Sequence, residues 1–487
     1  MPLPISTHQV TLRALWDELS KRHQVTLITT DPSNDLSLTN LTEIDISFAH
    51  KLMTTIRFHD SILGSSSIEL FYLMEYVLEN VFSSIMASHQ VQTLLNSNKS
   101  YDLVIFEALH GFPMGFAWKY QCPFIGITSL DVSVQFHNAI GNPPHSLLFP
   151  NYNIVIEDPE DMSFFQRFTI IFITLVYYYF VYHRIYYEED RLLKLHLDAN
   201  VPKCEEMEKN ISLILSNVNF FYGYSRPRTQ TTIDIGGIHL EEPKQLPMDL
   251  QKYLDNSKNG VIYFSLGSNV KGRLLNDTTK REILNAFADL PYNVLMKMDT
   301  ELKDVPKNVR IEKWLPQQDI LRHPNVKLFI SQGGLQSLQE SITNGIPLVG
   351  IPFFGDQISN VYRMVKKGYG VRLDKKEITK DNLKAAILEV MNNPKYREKA
   401  KEMGELLHDE PMTSLEKAVW WIEYVIRHKG AKHLRSPAVD LPVYQYYMLD
   451  VIGFLLLVTI IPIYLFVKIL KFIVRKICCK KSKSKRD

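Results

Sequence analysis

The densest chemistry in this chain lies between Trp314 and Gln357. Trp314-Leu315-Pro316-Gln317-Gln318 precedes an apolar run ending in Phe329-Ile330-Ser331-Gln332-Gly333-Gly334. Gln336, Ser337 and Glu340 follow, and Asp356-Gln357 comes after Pro347 and Pro352. Gly333 and Gly334 leave a strand and open a helix, so bare backbone N–H groups and the positive end of the helix dipole can face a diphosphate. Gln336 and Glu340 stand four apart, hence on one helix face, where Glu340 can accept from both hydroxyls of a ribose. Trp314 offers a plane for a base, although a core position would serve a tryptophan equally well. A carboxylate beside an amide at Asp356 and Gln357 suits sugar hydroxyls, and Ser265-Leu266-Gly267-Ser268 adds hydroxyls and backbone donors for phosphate. Each piece has a use in holding a sugar nucleotide.

Other nucleotide chemistries find no support. The chain has no G-x-G-x-x-G, and Gly267 to Gly272 has P-loop spacing but is followed by Arg273 and Leu274 where Lys and Ser/Thr are required. There is no Asp-x-Asp pair for a bridging cation. Cys122, Cys204, Cys478 and Cys479 lack metal-ligand spacing, so neither a zinc site nor a disulfide scaffold is expected.

Parallel-sheet domains must position these groups. Apolar runs at Val25 to Thr29, Ile44 to Phe48, Leu103 to Phe106 and Phe124 to Ile127 read as buried strands, with helices around Thr11 to Lys21, Ile68 to Leu95 and Gly111 to Tyr120. The traffic resumes with strands Val261 to Ser265, Val294 to Lys297, Val326 to Ile330 and Pro347 to Ile351, and helices Leu335 to Asn344 and Asp356 to Lys367. Two α/β domains follow, 1–225 and 226–430. Between them, Met162 to Leu197 has a helical pattern, and its uncharged Phe168 to Tyr182, rich in Tyr and Phe, suits core packing, a lipophilic pocket wall or a membrane interface. Glu398 to Lys429 reads as helix bracing the two domains.

Charge and hydropathy then place the chain at a membrane. Val451 to Val467 carries no charge, and Lys468 and Lys471 can snorkel while the apolar run continues to Val474, enough to span a bilayer. A linker at 431–450 leads into this 451–474 span, and a basic tail at 475–487 follows. Lysine and arginine number 55 against 53 acids, but Lys468 to Asp487 holds nine of the bases and one acid. The body is therefore mildly acidic, which argues against a nucleic-acid binder. The positive-inside rule puts the tail in the cytosol. Sequons at Asn40, Asn98, Asn210 and Asn276 fit a luminal body, and Lys483 and Lys485 resemble a dibasic retrieval signal of the endoplasmic reticulum. A luminal body also needs a signal peptide, which Met1 to Gln9 is not, so the expectation is a chain that begins after processing or a sequence that is incomplete.

Phe329 to Gln357 resembles the signature of the UDP-glycosyltransferase family, including the six residues between Glu340 and Pro347. Trp314 to Gln317 and Phe264 to Ser268 match two further motifs, and similarity runs from Thr7-His8-Gln9 to the basic tail. The likeness is greatest to the insect branch, whose members usually use UDP-glucose. It implies a GT-B fold: two Rossmann-like domains facing across a cleft, acceptor in the first and UDP-sugar in the second, with a C-terminal transmembrane helix.

Carried over residue by residue, the resemblance makes His8 the general base and Glu107, in Leu103-Val104-Ile105-Phe106-Glu107, the acid that orients it. Trp314 and Gln317 take the uracil and ribose region, Glu340 the ribose, Ser268, Gln332 and Gln336 the diphosphate, and Asp356 and Gln357 the sugar; Ser265, Gly267, Gly333, Gly334 and Ser337 complete the donor site. It also places a strand before His8 and a glycine in a left-handed cap where this chain has Arg22. The implied reaction is one inverting displacement by a small lipophilic hydroxyl compound, such as a phenol, needing no metal or other cofactor. A truncated, non-catalytic binder of UDP-sugar or lipophile and a transferase acting on membrane lipid are the alternatives. The expected partners are UDP-sugar, acceptor, membrane lipid and, for some assemblies, a second copy.

Overall fold

The computed structural model describes residues 3–55, 73, 76–143, 145, 147, 162–219, 225–268, 270 and 272–483. Residues Met1–Arg435 form one compact unit and Ser436–Asp487 another. Part of the helix expected at Ile68 to Leu95 lies outside the described residues; its remainder is helical from Leu78 to Leu95 with a break at Ser88.

Among the described residues every strand pairing is parallel. In the first domain β1 (Val25–Thr29) pairs with β2 (Leu41–Asp45), while β3 (Val104–Glu107), β4 (Phe124–Thr128), β5 (Ile214–Ser216) and β6 (Thr232–Asp234) follow one another in a separate sheet. The second strand sits three residues earlier than the run Ile44 to Phe48 suggests, because Leu41 and Thr42 supply the pairing with β1 and Phe48 opens the next helix. The sheet of the first domain also reaches past residue 225, since β6 adds to β5.

In the second domain β7 (Val261–Ser265), β8 (Asn293–Lys297), β9 (Val309–Glu312), β10 (Val326–Ser331), β11 (Leu348–Gly350) and β12 (Gly370–Arg372) form a sheet of order β12-β11-β10-β7-β8-β9. The chain winds outward one way from β7 and then the other way from β10. Those two strands therefore flank the point where winding reverses, and a crevice opens there at their carboxyl ends. β7 is buried along its whole length, as a strand covered on both faces must be. Its alternate residues enter opposite cores: Ile262 and Phe264 one, Val261 and Tyr263 the other.

The helix Ser6–Ser20 packs Leu12, Leu15 and Leu19 against Leu27, Ile125 and Ile127, and the helix Ser414–Arg427 joins the same cluster through Ala418, Val419, Ile422 and Val425. A segment late in the chain thus returns to the first domain. The helix Ser6–Ser20 ends with Lys21 in ordinary right-handed geometry. Arg22 is absent from the left-handed residues, so the cap anticipated there does not form, and its side chain reaches Glu423 instead.

Met162 to Leu197 is helical, with a π-helical turn at Tyr177–Tyr182 between Phe164–Val176 and His183–His196. Core packing accounts for His183–His196, which buries Leu192 and Leu193, but not for Phe164–Val176, where Ile170 alone is buried and Phe165 is 77% exposed. In the second unit, Leu449–Lys476 is long and apolar enough to cross a membrane.

Candidate active site

β3 and the helix Ser6–Ser20 bring two distant residues together. Glu107 ends β3 and His8 lies in the first turn of the helix; His8 Nδ1 and Glu107 Oε1 are 2.5 Å apart, both side chains buried. Ser129, the residue after β4, donates its hydroxyl to the same carboxylate oxygen at 2.9 Å and lies 2.6 Å from His8 Nδ1. A proton on Nδ1 is therefore shared between Glu107 and Ser129, which leaves Nε2 to accept from a substrate. The backbone N–H of Leu3 donates to Glu107 Oε2 at 2.6 Å. Burial alone would push the Glu107 carboxyl up, but the adjoining His8, the Leu3 amide and the Ser129 hydroxyl together hold it below its ordinary range. A charged carboxylate behind an imidazole fixes its tautomer and stabilises the imidazolium formed when it takes a proton.

Sequence reasoning missed Ser129, although a hydroxyl directly after a fully buried strand was a signal for it. Gln9 adds to the support: it accepts from Thr29 at the end of β1 and donates to the Leu3 carbonyl. One helix turn thus ties the ends of β1 and β3.

The expected donor groups gather at the reversal point of the second sheet. Gly333 (φ +81°) and Gly334 join β10 to the helix Leu335–Thr343. A Cβ on Gly333 would stand 2.3 Å from Val361, so glycine is required by both backbone angle and space. Gly267 (φ +73°) turns the chain after β7, and Gln332 packs where its Cβ would be, locking the two loops together. Ser331 and Ser265 accept from the N–H groups of Gly333 and Gly267, while Ser268 is exposed.

Trp314 is 74% exposed, as a stacking platform needs to be, and Lys297 Nζ sits 4.3 Å from its ring centre. Burial lowers the Lys297 ammonium, against the nearby charges of Asp299 and Glu340. Gln317 donates to Ser337 at 3.0 Å and to Glu340 at 2.7 Å. His239, not foreseen, approaches Glu340 at 3.3 Å.

Asp356 opens the helix Asp356–Lys367 and accepts from Asn360 at 2.6 Å. The same Asn360 amide donates to the Gly333 carbonyl, coupling the residues expected to hold sugar and phosphate; its place four residues on from Asp356, on one helix face, was the signal for it. Burial raises the Asp356 carboxyl, opposed by Asn360 and by His8. Gln357 uses its oxygen to accept from the Phe353 and Phe354 N–H groups, so only its NH2 is left for a sugar.

Gln336 departs from its expected place. Its amide points to the first domain, donating to Thr11 Oγ1 at 3.0 Å and to the Ser129 carbonyl at 3.3 Å. Among the described residues no group of three or more His, Cys, Asp or Glu could hold a metal ion.

Comparison with known proteins gives the family and the fold. The family described as UDP-glucoronosyl and UDP-glucosyl transferase matches residues 17–484. UDP-glucosyltransferase 2 of Dactylopius coccus is 38% identical over 461 residues, 93% of this chain and 88% of the relative. UDP-glucuronosyltransferase 2B7 of Homo sapiens is 31% identical, with 99% and 94% covered. Among solved structures, the glycotransferase of kitacinnamycin superposes with a TM-score of 0.60 at 19% identity, covering 87% of this chain and 97% of that one. CalG4, the calicheamicin glycosyltransferase, gives 0.54 at 17% identity. Both share the GT-B arrangement of two facing α/β domains.

Proposed function

The chain belongs to the UDP-glycosyltransferase family and is a glycosyltransferase enzyme, and on that premise we propose that it transfers glucose from UDP-glucose to a hydroxyl of a small lipophilic acceptor, with inversion. The observation that carries this reading is the buried His8–Glu107–Ser129 cluster, tied through Thr11 and the Ser129 carbonyl to Gln336 on the helix that follows Gly334. His8 Nε2 takes the acceptor proton as the acceptor oxygen bonds to the anomeric carbon. The bond from that carbon to the β-phosphate oxygen breaks, and UDP leaves with its electron pair on the opposite face. The charge it gathers is met by the Gly333–Gly334 helix terminus and by Ser268. These groups supply the stabilisation without a metal, so activity should survive chelation by EDTA.

Glucose is supported by the similarity to a protein named UDP-glucosyltransferase 2. A lipophilic acceptor is supported by the aromatic helix Phe164–Val176, whose exposed Phe165, Phe168 and Phe172 suit the membrane interface from which such compounds arrive. The reaction would make them more water-soluble. The body would lie in the lumen of the endoplasmic reticulum, anchored by the C-terminal helix, with the basic tail in the cytosol.

The test is UDP release from membranes carrying the full chain, given UDP-glucose and a mixture of phenols, beside His8→Ala. Release by the wild type and a loss of roughly 100-fold or more in the variant supports the reading. UDP binding without turnover by the wild type would overturn it in favour of a binding protein. Turnover confined to lipid extracts would move the acceptor to a membrane lipid.

A further inference from the structure

Gln336 stands in the helix that should receive the diphosphate, yet both hydrogens of its amide are used elsewhere. Nε2 donates to Thr11 Oγ1 at 3.0 Å and to the Ser129 carbonyl at 3.3 Å. A primary amide has two donor hydrogens, and what remains is a carbonyl oxygen, which repels phosphate. Its two partners are not arbitrary surface groups. Thr11 lies three residues on from His8, on the same face of the helix Ser6–Ser20. Ser129 contacts His8 Nδ1 at 2.6 Å and Glu107 at 2.9 Å. Its carbonyl is also held by Asn217 at 2.9 Å, and Asn217 in turn accepts from Gln339 on the donor helix at 3.0 Å.

We propose that Gln336 is a positioning residue that sets the distance between the catalytic base and the donor, and is not a ligand of the diphosphate. The inference rests on the reading of His8 as base. The amide clamps the start of the donor helix, two residues past Gly334, to the two elements that hold His8. When the domains meet, the terminus that receives the leaving group and the imidazole that deprotonates the acceptor are spaced by one side chain. Displacing a base by an ångström is enough to slow proton transfer while donor affinity is untouched.

The experiment compares the full-length wild type with Gln336→Met, which keeps the side chain's length but not its donors, and with Gln336→Asn, which keeps the amide one methylene short. UDP affinity is measured by calorimetry and kcat at saturating UDP-glucose. Two acceptors are used: a weakly acidic alcohol, which needs the base, and 4-nitrophenol, largely ionised and nearly independent of it. The expected result for Gln336→Met is a UDP Kd within about twofold of the wild type, with kcat for the alcohol down about 10- to 100-fold. The fall for 4-nitrophenol should be much smaller. Gln336→Asn should lie between, and carries the test if Gln336→Met does not fold. A UDP Kd weakened about tenfold with kcat retained would make Gln336 a diphosphate ligand and overturn the proposal. Equal losses for both acceptors would overturn it too, reducing the contact to domain packing. A wild type that binds UDP but turns over neither acceptor defeats the underlying assignment of His8 instead.

Discussion

Gln317 and Glu340, 23 residues apart in the chain, meet at 2.7 Å, amide nitrogen to carboxylate. The other end of that amide accepts from the buried hydroxyl of Tyr263 at 3.1 Å. The wall of the expected nucleoside site is thus pre-oriented from inside the fold: β7 supplies Tyr263, Tyr263 holds Gln317, and Gln317 aims Glu340. Removing Glu340 takes away the acceptor proposed for the ribose and leaves the Gln317 amide with Ser337 as its remaining acceptor. Glu340→Ala should weaken UDP about 10- to 100-fold by calorimetry, the size of a lost charged hydrogen bond. An unchanged Kd would remove Glu340 from the nucleoside site.

The turn at Gly333 combines φ +81° with a Cβ position 2.3 Å from Val361. Gly333→Ala should destabilise the second domain by about 1–3 kcal/mol, read as a lower Tm. It should also abolish UDP binding, because the N–H groups proposed to receive the phosphate are moved. Retained affinity would separate this turn from the donor site.

Glu208 is buried against Gln135 and Tyr186, and its pH response has a definite sign. Burial pushes its carboxyl up to about 8, against the hydrogen bonds from Tyr186 and Gln135 and reinforced by the charges of Glu189 and Glu205. The folded protein holds this proton over a range in which the unfolded chain has released it. Stability from this group is therefore full below about 4.5 and declines as pH rises towards about 8. Glu208→Gln should melt higher than the wild type near pH 8 and lose that advantage near pH 4.5. Parallel melting curves across that range would refute the shift.

The proposed luminal topology makes a separate claim on the surface. Asn98 is exposed, whereas Asn40 is half-buried and its amide donates to the Ser20 carbonyl at 3.0 Å. Treatment of the cell-expressed protein with an endoglycosidase should increase its gel mobility. Asn98→Gln should remove one step of that shift and Asn40→Gln none. A mobility insensitive to the enzyme would put the body on the cytosolic side.

Local chemistry made much of this molecule legible in its residues. A fully buried parallel strand reads as an apolar run, so Val261–Ser265 stands where its run places it, and Val25–Thr29, buried over its last three residues, does so too. The short-range pattern of Gly333, Gly334 and Glu340 carried the donor helix in the same way. The strand at Leu41–Asp45 was misplaced because it is only half buried, and its pairing with β1 outweighs its weak pattern.

Relationships across sequence distance were settled only by the fold. Glu107 looks like any carboxylate at a strand end until the parallel pairing of β3 with β4 sets Ser129 beside it and the helix Ser6–Ser20 delivers His8. The exposure of Phe164–Val176 could not be told from core packing by composition, because an apolar helix has the same residues whether protein or lipid surrounds it. Gln336 is the clearest case: its spacing from Glu340 assigns it to one face of a helix, but which partner that face meets depended on how a second domain came to rest against it.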